Sequence, residues 1–308
     1  MKYSIIVFLE DSYEDFPEFI KNLNSLFSAL NAPFEILIMA NGTGGFLRNQ
    51  MKQLEDLNHR LKAFELSTKS SEAVCLQAAL KESAGEIILV CGSYQQITTD
   101  SLRQALVSLD DHTDIVNPWR QKRVDPPFNQ FQSKVFNFLV RKITSSNLHD
   151  LSCTVRVYRR QVLEETEVYG NMYRFLPIVA ARRGFKTIEV KCEHQQERGR
   201  TGFYDLSSYI TRLIDIFTLY FNTRFTRKPL RFFSAIGTSF FIIGFLIALY
   251  VFLQKVFMGI PIGGRSVLLL ALLSMVLGVQ ASSVGLLGEI ITFTHARHKR
   301  EYSIQKII

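Results

Sequence analysis

Cysteine is scarce in this chain, and none of it is paired by spacing. Cys75, Cys91, Cys153 and Cys192 lie far apart with no C-x-x-C pair, which excludes a zinc ribbon or a disulfide framework and fits a reducing compartment. Acidic charge is also in deficit: 28 Asp and Glu against 36 Lys and Arg leave a net charge of +8. A basic balance suits either nucleic acid or anionic lipid headgroups. No zinc-finger spacing, RNP-like aromatic motif or basic zipper is present, so nucleic acid is not an expected partner. A signal-peptide core is lacking as well. The only apolar run near the start, Ser4–Leu9, is too short for one and reads as a first β-strand.

Charge disappears altogether in two places. Phe232–Gln254 and Ser266–Gly288 each run 23 residues without a charged side chain, enough at about 1.5 Å per residue to cross a hydrocarbon core of about 30 Å. Lys255–Arg265 between them holds Met-Gly-Ile-Pro-Ile-Gly-Gly, a breaker-rich turn, so the pair predicts a helical hairpin. Arg224, Arg227, Lys228 and Arg231 precede it and Arg297, Lys299 and Arg300 follow it, against Lys255 and Arg265 in the turn. The positive-inside rule then puts the soluble domain and both termini in the cytoplasm, with the protein integral to the inner (plasma) membrane. Gly278, Ser282, Gly285 and Gly288 place small residues near one face, suited to close packing within the hairpin or between subunits. Glu289, just past the span, reads as interfacial. Tyr204–Phe225 mixes apolar residues with Arg212, Asp215 and Arg224 and reads either as an amphipathic helix on the membrane surface or as a domain-packing helix.

Ahead of the hairpin the pattern changes to α/β. Residues 3–9 and 35–39 are short, β-branched runs of buried-strand type, with helical spacing over Phe16–Leu30 between them. Glu72–Ser83 predicts a helix, Glu86–Val90 a strand and Asp100–Leu109 a further helix. This alternation implies a doubly wound, mostly parallel sheet. Ligands in such sheets sit at the carboxyl ends of the strands, which directs attention to Glu10–Ser12, Ala40–Gly45 and Cys91–Gln95.

Several stretches then carry a resemblance. His149-Asp150-Leu151-Ser152-Cys153 is followed by Arg156-Val157-Tyr158-Arg159-Arg160. Next come Tyr169-Gly170-Asn171-Met172-Tyr173-Arg174-Phe175-Leu176-Pro177, then Arg183-Gly184-Phe185, Glu189, His194 and Gly199-Arg200-Thr201, and finally Gly285-Leu286-Leu287-Gly288-Glu289. In this order the chain resembles the family-2 glycosyltransferases of GT-A fold, in particular membrane-anchored dolichyl- and undecaprenyl-phosphate glycosyltransferases. The resemblance implies three segments: a GT-A-like domain over 1–203, an interfacial juxtamembrane helix over 204–230, and a two-helix anchor over 231–308. It also implies a homo-oligomer, tetramers occurring in the family.

The donor side departs from the family. Its Asp-Ala-Asp-x-Gln metal motif is replaced by Cys91-Gly92-Ser93-Tyr94-Gln95, and its Asp-Asp-Gly-Ser-x-Asp by Ala40-Asn41-Gly42-Thr43-Gly44-Gly45. Its Pro-x-Tyr-Asn-Glu becomes Phe8-Leu9-Glu10-Asp11-Ser12, and its Asn-Phe-Gly becomes Lys69-Ser70-Ser71. Mg²⁺ or Mn²⁺ is expected for the family, yet a hard cation wants carboxylate oxygens, and Cys91 and Ser93 stand in their place. Cys91 reads as a packing thiol rather than a nucleophile. Donor-site positions by resemblance are Asp11, Asn41, Lys69, Ser93, Gln95 and Arg200, with Lys69, Arg198 and Arg200 able to supply cationic charge beside a diphosphate. On the acceptor side Arg120-Gln121-Lys122-Arg123 and Ser133-Lys134 resemble the family's lipid-phosphate site. Arg120, Arg123 and Lys134 are therefore its expected ligands; a solvated charge run is the plainer reading. Asp150 falls where the family has its reaction centre, and His149 beside it reads equally as a packing histidine. Two functions follow: inverting transfer of a sugar from a nucleotide-sugar to polyprenyl phosphate on the cytoplasmic leaflet, or a catalytically degenerate relative that binds lipid phosphate as a subunit or regulator.

Overall fold

The computed structural model describes residues 2–9, 15–42, 51–54, 59–121, 127–144, 146–166, 170–195, 214, 217–218, 229–259 and 266–296. The chain divides into two compact units at residues 216/217. The first carries a seven-stranded sheet in the order β3-β2-β1-β4-β6-β5-β7. Its strands are β1 (Tyr3–Leu9), β2 (Phe34–Asn41), β3 (Leu61–Leu66), β4 (Ile87–Cys91), β5 (Ile115–Gln121), β6 (Arg156–Arg159) and β7 (Thr187–Glu193). β1, β2, β3 and β4 run parallel, as do β5 and β7; β6 is antiparallel to both β4 and β5. The expected mostly parallel, doubly wound sheet is what forms.

β1 is buried at every position, as a strand covered on both faces must be. Its residues alternate between two cores. Ile5, Val7 and Leu9 meet helix α1 (Phe16–Ala29) on one side. Ile6 and Phe8 face α2 (Glu72–Glu82) on the other. α1 forms where expected because Phe16, Phe19, Ile20, Leu23 and Phe27 recur on one face, with Pro17 in the first turn, where its missing N–H costs nothing. Helix α3 (Thr99–Val107) starts at Thr98, whose hydroxyl accepts from Ser101 N. α4 (Pro127–Thr144), α5 (Arg160–Glu165) and α6 (Leu176–Arg182) complete the unit.

The amino ends of the central strands are clamped by one buried carboxylate. Glu35 Oε1 accepts from Ser4 Oγ at 2.8 Å and from Ala84 N at 2.6 Å, while Oε2 takes Lys62 Nζ at 3.0 Å. Gly85 N donates to Ser4 Oγ at 2.8 Å, and a Cβ on Gly85 would come within 2.5 Å of Ser4 N, so only glycine fits there. Burial works against the ionised carboxyl of Glu35. The Ala84 N–H, Lys62 and Ser4 outweigh it, and the net pKa is lowered. A depressed folded-state pKa means stability present above the unfolded value and lost as pH falls through the folded one. Glu35→Gln should therefore flatten the acid limb of the stability curve below about pH 4, where an unperturbed glutamate begins to titrate, as read by urea melts at stepped pH. An unchanged acid limb would refute this role.

The second unit is a pair of long antiparallel helices, α7 (Pro229–Met258) and α8 (Ser266–Ala296). Both are long and apolar enough to cross a membrane. They extend past the expected spans at Gln254 and Gly288. Gly237, Gly244 and Val251 of α7, and Ala271, Gly278 and Gly285 of α8, are buried at seven-residue intervals. Gly237 meets Gly278 and Ser282, and Gly244 meets Ala271 and Met275. The small-residue face of α8 is thus spent within the hairpin. Glu289 Oε2 accepts from Leu230 N at 3.3 Å, supplying the amino end of α7 with an acceptor that its first turn lacks. The expected juxtamembrane helix lies almost wholly outside the described residues.

Candidate functional site

The winding of the sheet reverses between β1 and β4, and a ligand crevice belongs at the carboxyl ends of those strands. The described polar side chains there are turned onto the protein itself. Asn41 Nδ2 donates to Ser70 O and Asn41 Oδ1 accepts from Ser70 N, both at 2.7 Å, so the amide staples the end of β2 to the β3–α2 loop. Gly42, at φ +76°, leaves room for Lys69, whose Cβ would sit 3.3 Å from an added methyl. Gln95 Nε2 donates to Ile97 O at 3.1 Å and Thr99 Oγ1 at 3.2 Å. Gln96 Oε1 accepts from Thr154 N and Oγ1, each at 2.9 Å. Ser93 is buried. Lys69 is the exposed cation among these positions.

A divalent cation does not fit the residues after β4. The Cys91 thiol is 2% exposed, points into the core and donates to Ile6 O at 3.8 Å. Burial raises its pKa well above the ordinary thiol value, and pushes Cys153 up to about 11, so both stay protonated and neither is a ligand or nucleophile at neutral pH. Among the described residues no three His, Cys, Asp or Glu side chains converge to hold a metal ion.

The carboxyl end of β5 is different. A cavity of about 420 Å³ opens there, walled by α4 and by the loop that carries His149 and Asp150. Asp150 is buried and receives Arg120 in a fork, Nε to Oδ2 at 2.8 Å and Nη2 to Oδ1 at 3.2 Å. Ser152 N and Oγ donate to Oδ1 at 3.1 and 2.8 Å. Glu189 of β7 fixes the same loop from below, Oε1 accepting from His149 N at 2.6 Å and Asp150 N at 3.2 Å. Glu189 Oε2 lies 2.7 Å from His149 Nδ1. The His149 ring stacks on Trp119 at 4.2 Å and 14°, with Lys191 Nζ 5.6 Å from the indole centroid. Arg156, fully buried on β6, holds the far end of the loop through Leu151 O at 2.7 Å and Tyr173 O at 3.3 Å.

Of the sequence-predicted positions, Arg120, Lys134 and Asp150 come together at this cavity. Asn41 and Lys69 stand at the β2 side of the sheet and Ser93 and Gln95 follow β4, none of them lining this cavity, and Asp11, Arg123, Arg198 and Arg200 lie outside the described residues. Arg120 reaches the cavity wall but commits its fork to Asp150. Sequence reasoning missed Trp119 and Arg141 of the lining. Arg141 was visible only as the seven-residue repeat of Lys134 on α4.

A model described as glycosyl transferase family 2 matches residues 4–166, more than half of the chain. The undecaprenyl-phosphate 4-deoxy-4-formamido-L-arabinose transferase of Proteus mirabilis (strain HI4320) is 25% identical over 315 residues, covering 100% of this chain and 94% of that protein. Its counterpart in Serratia proteamaculans (strain 568) is 24% identical over 311 residues, again covering 100% of this chain and 94% of that one. Among solved structures, glucosyl-3-phosphoglycerate synthase from Mycobacterium tuberculosis with UDP superposes at a TM-score of 0.56 and 11% identity, over 72% of this chain and 79% of that one. The same enzyme with Mn²⁺, UDP and phosphoglyceric acid gives 0.56 at 9% identity, over 72% and 78%. These two establish the GT-A-like fold and nothing finer. With strand order, ligand-end geometry and family match in agreement, the chain belongs to glycosyl transferase family 2.

Proposed function

We propose that this chain is a membrane-anchored polyprenyl-phosphate glycosyltransferase, acting on the cytoplasmic leaflet with a nucleotide-sugar donor. The observation that carries the reading is the cavity at the end of β5, rich in cations and closed by a rigid loop, on a chain whose full-length relatives are named for transfer to undecaprenyl phosphate. The chemistry suits that loop. A phosphate oxygen attacks the anomeric carbon, the bond from that carbon to the nucleoside diphosphate breaks, and the diphosphate leaves with the electron pair. A phosphate monoester is already anionic, so no general base is needed. Asp150, fully engaged by Arg120 and Ser152, holds the loop and need not take a proton. Lys69, with Arg198 and Arg200 by resemblance, would supply positive charge to the departing diphosphate. The homo-oligomeric state expected for the family is part of the same reading.

A second reading is favoured by the donor side. There Asn41, Gln95 and Gln96 are spent internally and the Asp-x-Asp carboxylates are replaced by Cys91 and Ser93, as in a relative that binds lipid phosphate without turnover. Titration of the full-length protein in detergent with a panel of nucleoside diphosphates separates the two. Transferase function predicts that one diphosphate binds with EDTA as tightly as with Mg²⁺, within about twofold, since Cys91 and Ser93 replace the family's metal carboxylates after β4. If none binds in either condition, transfer is refuted and the degenerate reading stands.

A further inference from the structure

α4 presents Gln130, Ser133, Lys134, Asn137 and Arg141 to the cavity, at three-, one-, three- and four-residue steps along one helix face. Two of these are structural. Asn137 Oδ1 accepts from Leu151 N at 3.3 Å, and Ser133 Oγ lies 3.0 Å from Ser152 Oγ, so both brace the Asp150 loop. Lys134 and Arg141 do not. Neither forms a hydrogen bond or ion pair among the described residues, and Arg141 Nε is shut off from solvent without an acceptor. A guanidinium N–H left without an acceptor away from water is costly, and an oxyanion in the cavity would relieve that cost.

The charge balance points the same way. Arg120 is neutralised by Asp150 and Glu189 is turned to the His149 ring, so among the described lining residues the uncompensated positive charge comes from Lys134 and Arg141 of α4. Two helical turns, a rise of about 10.5 Å, separate Lys134 from Arg141, a gap that two long side chains close around one small anion.

We propose that Lys134 and Arg141 are the residues that grip the acceptor phosphate, and that Arg120 is a positioning residue, holding Asp150 and Ser152 in place instead of touching the lipid. This rests on the transferase reading of the same cavity. It places the phosphate-binding guanidinium on α4, seven residues after Lys134, rather than at the end of β5.

The test uses full-length protein in detergent with farnesyl phosphate as probe and farnesol as the uncharged control. Wild type should prefer the phosphate. Arg141→Gln should weaken farnesyl phosphate binding at least about tenfold, leave farnesol unchanged and make the salt dependence shallower; Arg141→Lys should recover part of the loss. Arg120→Gln should instead lower the melting temperature. Unchanged farnesyl phosphate affinity in both Arg141→Gln and Lys134→Gln would overturn the assignment while leaving the cavity's function intact. Equal wild-type affinity for farnesyl phosphate and farnesol would overturn the acceptor reading itself. Should Arg141→Gln fail to fold, Arg141→Lys and Lys134→Gln carry the same two outcomes.

Discussion

Asp150→Ala is expected to destabilise the soluble unit by about 3–5 kcal/mol, the cost of leaving one member of a buried ion pair without its partner. Arg120 is 4% exposed and its Nε and Nη2 both point at Asp150. With the carboxylate gone, a guanidinium remains in the protein interior, still 3.1 Å from Ser152 Oγ but without its counter-charge. The loss spreads because Ser152 donates to Asp150 through both N and Oγ, and that loop forms the cavity wall. Thermal melts of the full-length protein in detergent should show the drop directly. Replacing both partners, Arg120→Met with Asp150→Leu, should recover much of it, because no uncompensated charge is left behind. The experiment also distinguishes roles. An Asp150→Ala protein that melts like wild type but transfers no sugar would make Asp150 a reacting group instead of a structural one.

Gly237→Leu is the second large effect, and it strikes the hairpin. A Cβ on Gly237 would overlap the Gly278 carbonyl oxygen and Ser282 Oγ, and lie 3.1 Å from Ser282 N. Two of these three are backbone atoms, so no rotamer change relieves the clash and the helices must separate. Overpacking costs about 1–3 kcal/mol where side chains can adjust; against backbone the upper end or more is expected. Separation would also loosen the neighbouring contacts, where a Cβ on Gly244 would meet Ala271 O at 2.5 Å and one on Gly285 would meet Phe233 Cβ at 2.7 Å. Close approach of backbones is what holds helices together in lipid, where apolar burial gives little drive. Leu269→Ala, at an outward position 70% exposed, is the control and should be silent. Gly237→Leu should sharply reduce recovery of folded protein from membranes and raise trypsin sensitivity of the hairpin. Wild-type recovery would show that the helices do not pack through this seam.

Much of the fold was legible because it rests on local periodicity. β1 as Ser4–Leu9 within Tyr3–Leu9, α1 over Phe16–Ala29 and α2 over Glu72–Glu82 were readable from apolar spacing alone, since burial on one or two faces imposes a period of 3.6 or 2. The two long helices needed only composition. The antiparallel insertion of β6 between β4 and β5 was not legible, because Arg156–Arg159 is a four-residue strand whose place depends on partners about seventy and forty residues earlier. At the site, motif resemblance marked Arg120, Lys134 and Asp150 but could not say which cation remains available. The Arg120–Asp150 fork joins residues 30 apart in the chain, and no spacing rule encodes it.

The deficits of cysteine and acid that open the sequence keep their meaning with one refinement. By itself the sequence determined that a doubly wound α/β unit precedes two charge-free spans of 23 residues, and that Cys91 and Ser93 stand where the family has the carboxylates a hard cation needs. Both follow from which residue types occur and at what period. Only the tertiary structure decided that Asp150 is tied up by Arg120, that the α8 glycines are consumed by α7, and that among the described cavity residues the unpaired cations stand on α4. Each of those depends on which groups distant in the chain are brought within a few ångströms, and a charge or a hydrogen-bond donor has a role only once its partner is known.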